Sequence, residues 1–388
     1  MTPIPPYIAY SLTLAFSAAI SALAIPRIIY IAKRKRLFDH PDNERKMHEF
    51  IVPNLGGIGI FFAYIIAACL FIDPIVFHTD PNVFHKWNYI VAATLILFLT
   101  GLKDDLISLP PSKKFAAQFV AAAIMAFCAD IRIKTLFGVM GIHELPYWIS
   151  IGFTIVGCVF VTNAFNLIDG IDGLAGSIGV LCTISLGIFL ALQKQSSAAC
   201  IAFSMAGALI GFLRYNISPA EIFMGDTGSL VVGFTISMLS ILFVNTFDAQ
   251  EAITPVVHSS SGALVIVLAI LVVPVLDSLR VFTTRAMKGG SPFRADRSHL
   301  HHYLLDLGFS HNRTVLIIVT ANFLIIAVSL FVQDYNPNIA LAVIVSVSFF
   351  MFGVLYYMRR HRILHDERYL KVGKSTLHPK TPIEKKEI

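Results

Sequence analysis

Polar residues are sparse in this chain and interrupt it at intervals. Between them run eleven apolar stretches, at roughly 7–31, 55–72, 87–101, 115–129, 148–168, 173–192, 197–213, 228–247, 263–279, 314–333 and 338–358. A helix needs about 20 apolar residues to cross a bilayer. Most of the runs approach that length, although those at 87–101 and 115–129 are short. The pattern predicts an all-α, polytopic transmembrane helix bundle of about 11 spans over residues 1–358, followed by a basic cytosolic tail at 359–388. No soluble domain and no solenoid-type repeat interrupts it. Composition agrees: 56% of residues are hydrophobic and 14% charged, against about 25% charged in a soluble domain. No cleavable signal peptide is expected, because the first run is too long and its basic cluster follows it.

Lys and Arg placement orients the bundle. The alternate connections 32–54, 102–114, 169–172, 214–227, 280–313 and 359–388 carry 25 of them, whereas the opposite set carries four, Lys86, Arg132, Lys134 and Lys194. That asymmetry places the first set in the cytosol, the N-terminus outside and the C-terminus inside. It also accounts for the net charge of +6 without nucleic acid. The clusters Lys33–Arg36 and Arg359–Arg362 then sit where anionic lipid headgroups would hold them. The five cysteines, Cys69, Cys128, Cys158, Cys182 and Cys200, lie inside apolar runs and form no CxxC pair. Neither a disulfide framework nor a zinc site is expected.

Every unusual polar stretch falls on the predicted cytosolic side. Residues 163–173 read NAFNLIDGIDG. On a continuing helix Asp169 and Asp172 would share one face, and carboxylates that close repel unless a cation or proton lies between them. The plainer reading is a solvated turn, since Asn, Asp and Gly are turn residues. Asp104 and Asp105 follow an apolar run, ahead of Pro110–Pro111 and of Lys113 and Lys114, which could balance their charge. Asp226, in FMGDTGS, precedes a span. There Asp or Thr is an ordinary N-cap, while flanking glycines favour close approach of a ligand and a helix N-terminus suits phosphate. Lys46 and His48 stand just before the pair Gly56–Gly57, where backbone could approach a ligand. In the loop 280–313, Arg294, His299, His301 and His302 suit an anion better than a metal. Asp277, three residues before Arg280, reads as half of a local ion pair.

Asp104, Asp105, Asp169, Asp172 and Asp226 thus gather with basic and histidine residues on one face. Oxygen donors of this kind suit Mg²⁺ or Mn²⁺. Carboxylates, a hard cation and cationic loops are the equipment of phosphoryl transfer. A transporter would place ionisable groups near the middle of the bilayer, and a purely structural protein would have no reason to collect five aspartates at one edge.

The segments GLKDDLISLPPSKK, NAFNLIDGIDGLAG, FMGDTGSLVVG and SPFRADRSHLHHYLLDLGFSH, in this order, resemble the signature motifs of the polyprenyl-phosphate N-acetylhexosamine-1-phosphate transferases. The form HLHH resembles the branch that uses UDP-GlcNAc; the sister branch, which uses a UDP-MurNAc-pentapeptide donor, shows three consecutive histidines. One departure is Asn54, where an arginine is expected. The resemblance implies catalytic roles for Asp104, Asp105, Asp169 and Asp172, and magnesium at Asp226 with Asp104 and Asp169. It implies donor contacts by Lys46, Asn166, His299, His301 and His302, to which the residue pattern adds His48 and Arg294 as expected substrate contacts. The implied partners are UDP-GlcNAc, undecaprenyl phosphate and the lipid bilayer of a bacterial inner membrane. Gly- and Ala-rich spans would also permit the close helix contacts of a homodimer.

Overall fold

The computed structural model describes residues 5–35, 37, 52–72, 81–247, 256–287, 289 and 299–375. Lys46, His48 and Arg294 lie outside these residues, as does Arg36 of the first basic cluster.

The chain folds as α1 (Pro6–Lys35), α2 (Gly56–Phe71), α3 (Pro81–Ile107), α4 (Pro111–Ala123) with a π-helical turn (Ile124–Cys128), α5 (Tyr147–Ile168), α6 (Leu174–Leu192), α7 (Ser196–Asn216), α8 (Gly225–Asn245), α9 (Ser260–Ile270), α10 (Val272–Met287), α11 (Leu300–Asp306), α12 (His311–Val332) and α13 (Pro337–Ser375). Each of the eleven apolar runs coincides with helix. Among the described residues, seven helices are long and apolar enough to cross a membrane alone: α1, α5, α6, α7, α8, α12 and α13. The bent pair α9 and α10 makes an eighth span if counted as one. The runs in α2, α3 and α4 fall short of that measure, so the expected eleven is not reached. Helix α2 has 16 residues, and α3 ends in the polar stretch Lys103–Asp104–Asp105.

Among the described residues, the fold departs from all-α at one place. Strands β1 (Thr135–Val139) and β2 (Ile142–Glu144) pair antiparallel in a hairpin. Met140 and Gly141 turn it with φ of 53° and 76°, the positive values that a tight two-residue hairpin needs at both central positions.

Helix α8 runs through the centre, buried along nearly its whole length, and packs on α2, α3, α5 and α6. Outer helices expose large apolar side chains such as Leu99, Trp148, Phe153 and Phe331, the inverse of a soluble surface. The small residues that sequence assigns to close contacts are used within the chain. Ala9, Thr13, Ser17 and Ser21 repeat every fourth position on the buried face of α1. Ser17 donates to the Ser204 carbonyl of α7 at 2.6 Å, and a Cβ on Gly211 would lie 2.5 Å from the Ala18 carbonyl. Small side chains let two backbones approach this closely.

The run at 263–279 is broken rather than straight. Helices α9 and α10 meet at 67°. Pro274 has no N–H to give the Ile270 carbonyl four residues back, so that acceptor is freed inside the bundle. Asn322 Nδ2 bonds it at 3.3 Å and Cys182 Sγ at 3.4 Å. A break in a span is tolerated when neighbouring side chains re-satisfy its backbone in this way. The bend carries Asp277 and Arg280 toward α11.

The alternate connections separate to opposite ends. Asn245 reaches the Arg132 carbonyl, and Asn338 accepts from Met140 N–H. At the other end, Asn54, Asp104, Asp172, Asp226 and His311 line one cavity.

Candidate active site

The site is assembled around the first turn of α8. Residues 53–57 pair with the segment before it: Phe223 N–H donates to Pro53, Gly56 N–H to Phe223 and Gly57 N–H to Met224, each at 2.9 Å. A Cβ at Gly57 would collide with the backbone of Thr227 and Gly228, and one at Gly101 would lie 2.5 Å from Thr227 Cα. The glycine pair that sequence offers for ligand approach therefore serves the approach of α2 to α8.

The exposed amides of that turn end on carboxylates from other elements. Asp105 Oδ1 accepts from Asp226 N–H at 2.8 Å, while its Oδ2 accepts from Thr227 N–H at 2.9 Å and from the Thr227 hydroxyl at 2.5 Å. Asp169 accepts from Gly225 N–H. Three of the four amides that a helix start leaves open are thus satisfied across 50 to 120 residues of sequence. Two expectations are corrected. Neither Asp226 nor Thr227 caps α8 with its own side chain, and the helix end is not open to phosphate. Asp105, expected at the reaction centre, has both oxygens committed to this cap.

Asp104 and Asp226 share a cation. Lys114 Nζ lies 2.6 Å from Asp226 Oδ2 and 3.0 Å from Asp104 Oδ2. The other oxygen of Asp226 takes Asn166 Nδ2 at 2.9 Å, and Asn166 also bonds Ser229. Asp104 Oδ1 takes Leu109 N–H at 2.5 Å, which fixes the loop before Pro110. The charge balance that sequence offers for Lys113 and Lys114 is realised by Lys114.

Helix α5 stops at Ile168, so Asp169 and Asp172 lie on a turn rather than on one helix face. Gly173 closes it with φ of 78°, and Asn216 accepts its N–H at 2.9 Å. Both acids still face the common space. Asp104, Asp105, Asp169, Asp172 and Asp226 all line a cavity of about 490 Å³, together with Asn54, Asn166 and His311. His311 Nδ1 is 3.4 Å from Asp172 Oδ2. Among the described residues, Lys114 is the one lysine or arginine paired with the five acids.

The histidines arrive on α11. His299 and His301 are buried, their rings parallel with centroids 5.8 Å apart. The His301 ring lies against Gly170, where an added Cβ would sit 2.6 Å from Nε2. This contact brings the histidine helix to the Asp169–Asp172 turn. His302 packs on His301 with ring centroids 4.3 Å apart.

Burial and crowding set the charges. Burial pushes Asp105 up to about 7 despite its three hydrogen bonds. Asp169 is also pushed up to about 7, by burial first and then by the charges of Asp226, Asp105 and Asp172. Burial acts the same way on Asp104, yet the Leu109 amide, Asp226 and Lys114 hold its carboxyl below the ordinary range. Burial opposes the Lys114 charge, but Asp226 and Asp104 raise its pKa. His301 falls to about 3 through burial and the neighbouring His302.

One residue of the cavity, His311, carries no role in the sequence reading, where it only ends the last motif. Asp277 lies behind His299 rather than on the cavity, and the sequence suggests only its pair with Arg280. A carboxylate inside an apolar run was the available signal for Asp277, since such groups are expensive in a membrane and are usually retained for a purpose.

Comparison with known proteins follows the same motifs. The family model described as glycosyl transferase family 4 matches residues 87–244, which include all five aspartates, Asp104, Asp105, Asp169, Asp172 and Asp226. The undecaprenyl-phosphate alpha-N-acetylglucosaminyl 1-phosphate transferase of Escherichia coli (strain K12) is 28% identical over 332 residues, covering 83% of this chain and 84% of that protein. The decaprenyl-phosphate N-acetylglucosaminephosphotransferase of Mycobacterium leprae is 30% identical over 314 residues, 78% of each chain. Its counterpart in Mycobacterium tuberculosis (strain ATCC 25618 / H37Rv) is 30% identical over 319 residues, 78% of this chain and 77% of that one. With its motifs meeting in one cavity and such relatives matched along most of its length, the chain belongs to glycosyl transferase family 4, as a polyprenyl-phosphate N-acetylhexosamine-1-phosphate transferase homologue.

Proposed function

We propose that this protein transfers N-acetylglucosamine-1-phosphate from UDP-GlcNAc to undecaprenyl phosphate and releases UMP, as the first membrane step toward a cell-surface polysaccharide. The observation that carries the reading is the cavity where five aspartates from separate segments meet Lys114. The relatives' names supply the acceptor and the sugar phosphate. The charge asymmetry of the loops supports a cytosolic site on an inner membrane.

In this reaction an oxygen of the lipid phosphate attacks the sugar-linked phosphorus, and the bond from that phosphorus to the UMP oxygen breaks. Both reactants are anions, so their approach is opposed by repulsion. Lys114 offsets part of it, and Asp104 and Asp226 hold its ammonium at the cavity. Asn166 fixes the Asp226 carboxylate from the opposite side. Asp105 and Asp169 tie down the start of α8, which keeps Asp226 at the cavity wall. His301 adds a buried wall beside Gly170.

The donors fit Mg²⁺. Asp104 and Asp226 already share one cation, and Mg²⁺ is commonly held by one or two carboxylates plus waters and substrate phosphates. The lack of any three-residue His/Cys/Asp/Glu cluster among the described residues is compatible with that habit. Asp226 and Asp104, with Asp169 beside them, would hold the ion, which would neutralise charge on the pyrophosphate and the leaving UMP.

The test is direct. Purified protein in lipid is given radiolabelled UDP-GlcNAc, undecaprenyl phosphate and Mg²⁺. Labelled lipid and UMP in equal amounts support the reading, and absence of both overturns it. If another UDP-N-acetylhexosamine or UDP-MurNAc-pentapeptide is used in preference, the donor assignment fails while the chemistry stands.

A further inference from the structure

The bend at Pro274 delivers an acid to the histidine helix. Asp277 is 1% exposed, so each of its oxygens needs a partner. Oδ1 accepts from Arg280 Nη2 at 2.8 Å and from Leu300 N–H at 3.1 Å. Oδ2 faces His299 Nδ1 at 2.9 Å. The local pair with Arg280 is present, but it is only one of three contacts. The others hold the first amide of α11 and the ring of the residue before it.

We propose that Asp277 is a positioning residue for His299: it accepts the Nδ1 hydrogen, fixes the ring's rotamer, and aims the opposite nitrogen so that an Nε2–H donates to a phosphate of the nucleotide-sugar donor. The last element of this proposal rests on the transferase reading above. The chemistry follows from the donors present. A carboxylate that receives a guanidinium and an amide on one oxygen is ionised and accepts only. The imidazole nitrogen opposite it therefore carries the hydrogen, and the second nitrogen is left for a ligand. With donor bound, the carboxylate behind the ring and a phosphate in front of it are both acceptors, so each ring nitrogen must bring a hydrogen to its partner.

The orientation matters beyond His299. Its ring stacks parallel to that of His301, and His301 abuts Gly170 between the two acids of the turn. Arg280, which holds Asp277, also donates to the Tyr303 hydroxyl at 3.2 Å. At the far end of α11, Arg359 of α13 pairs with Asp306 at 2.6 Å, and Arg362 donates to the Leu307 carbonyl. The short helix is thus held at both ends, and Asp277 is the end that reaches a ring.

Asp277→Asn makes a specific forecast. Leu300 N–H and Arg280 keep the amide oxygen, so the amide NH₂ turns to His299. His299 must then accept at Nδ1 and carry its proton on Nε2. Nitrogen-15 histidine NMR on the full chain in lipid nanodiscs, with the signal assigned by His299→Gln, reads this directly. In the wild type, Nδ1 is expected to be protonated. In Asp277→Asn, Nδ1 loses its hydrogen and Nε2 keeps the one that remains. The charged and titratable groups facing this ring and its stack are Asp277, Arg280, Tyr303, His301, His302, His311 and Arg359. The arginines stay charged, and the other histidines are followed in the same spectra.

In turnover, KM for UDP-GlcNAc is expected to rise by about tenfold with a smaller change in kcat, Asp277→Glu recovering part of it. The double variant with His299→Gln should be no worse than His299→Gln alone, because both changes act through one ring. Multiplying losses would mark Asp277 as merely structural and overturn the proposal. A wild-type His299 with a bare Nδ1 would overturn it without any variant, whether or not the variants fold. Wild-type protein inert toward UDP-GlcNAc would overturn the donor contact and the transferase reading, while the spectra would still decide the Asp277–His299 link.

Discussion

The ammonium of Lys114 lies 2.6 Å from the carboxylate of Asp226, a contact that spans 112 positions of sequence. It stands in the space where two acids from different helices would otherwise repel. Removing it should expose that repulsion to both anionic reactants. Lys114→Gln is expected to lower kcat/KM about 100-fold, measured as UMP release, and Lys114→Arg should not restore it, because a planar fork does not replace a point charge.

Asp226 has its two oxygens divided between Lys114 and Asn166. Asp226→Asn keeps the shape and removes the charge. Turnover should fall by at least about 10²–10³-fold, while elution on size exclusion and membrane insertion stay as in the wild type. Full activity in this variant would remove Asp226 from the site.

Asp169 and Asp105 give a pH dependence of unusual sign. Both are raised to about 7 in the folded chain, whereas an unfolded Asp titrates near about 4. Between those values the folded state holds protons that the unfolded state has lost. Stability therefore falls as pH rises from about 4 to about 7 and levels off above. Asp104 is shifted downward, so its contribution is lost only at pH below this window. Melting temperatures measured in EDTA at pH 5 and pH 8 should converge in Asp169→Asn relative to the wild type.

Two glycines separate packing from positioning. Gly57→Ala drives a methyl into the backbone of α8, which has no way to yield, and should destabilise the protein by about 1–3 kcal/mol. Gly170→Ala meets the ring of His301 at 2.6 Å instead. It should lower activity with a smaller change in melting temperature. If both variants behave alike, the contact of His301 with the turn has no functional weight.

The helices and the three acidic motifs were legible because each is local. Apolar runs announce spans, and acids beside Gly or Pro announce themselves at a membrane edge. What was not legible was which partner each acid takes. Nothing in Asp105 says that it caps a helix 120 residues away, and nothing in Asp169 says that it receives Gly225 N–H. Spacing misled where backbone intervened: the i, i+3 pair Asp169 and Asp172 assumed a helix that ends at Ile168. The run at 263–279 reads as one continuous span, and the partners that take up the carbonyl released at Pro274, Asn322 and Cys182, lie on other helices far away in sequence. The hairpin at 135–144 was hidden because its strands are only five and three residues long.

The apolar run of the last span stops at Met358, but helix α13 does not. A shortened protein ending there would keep every membrane-crossing segment and still lose Arg359 and Arg362, the grip on the far side of the histidine helix. Hydrophobicity is thus the wrong ruler for trimming this chain: the safe cut lies beyond those two arginines.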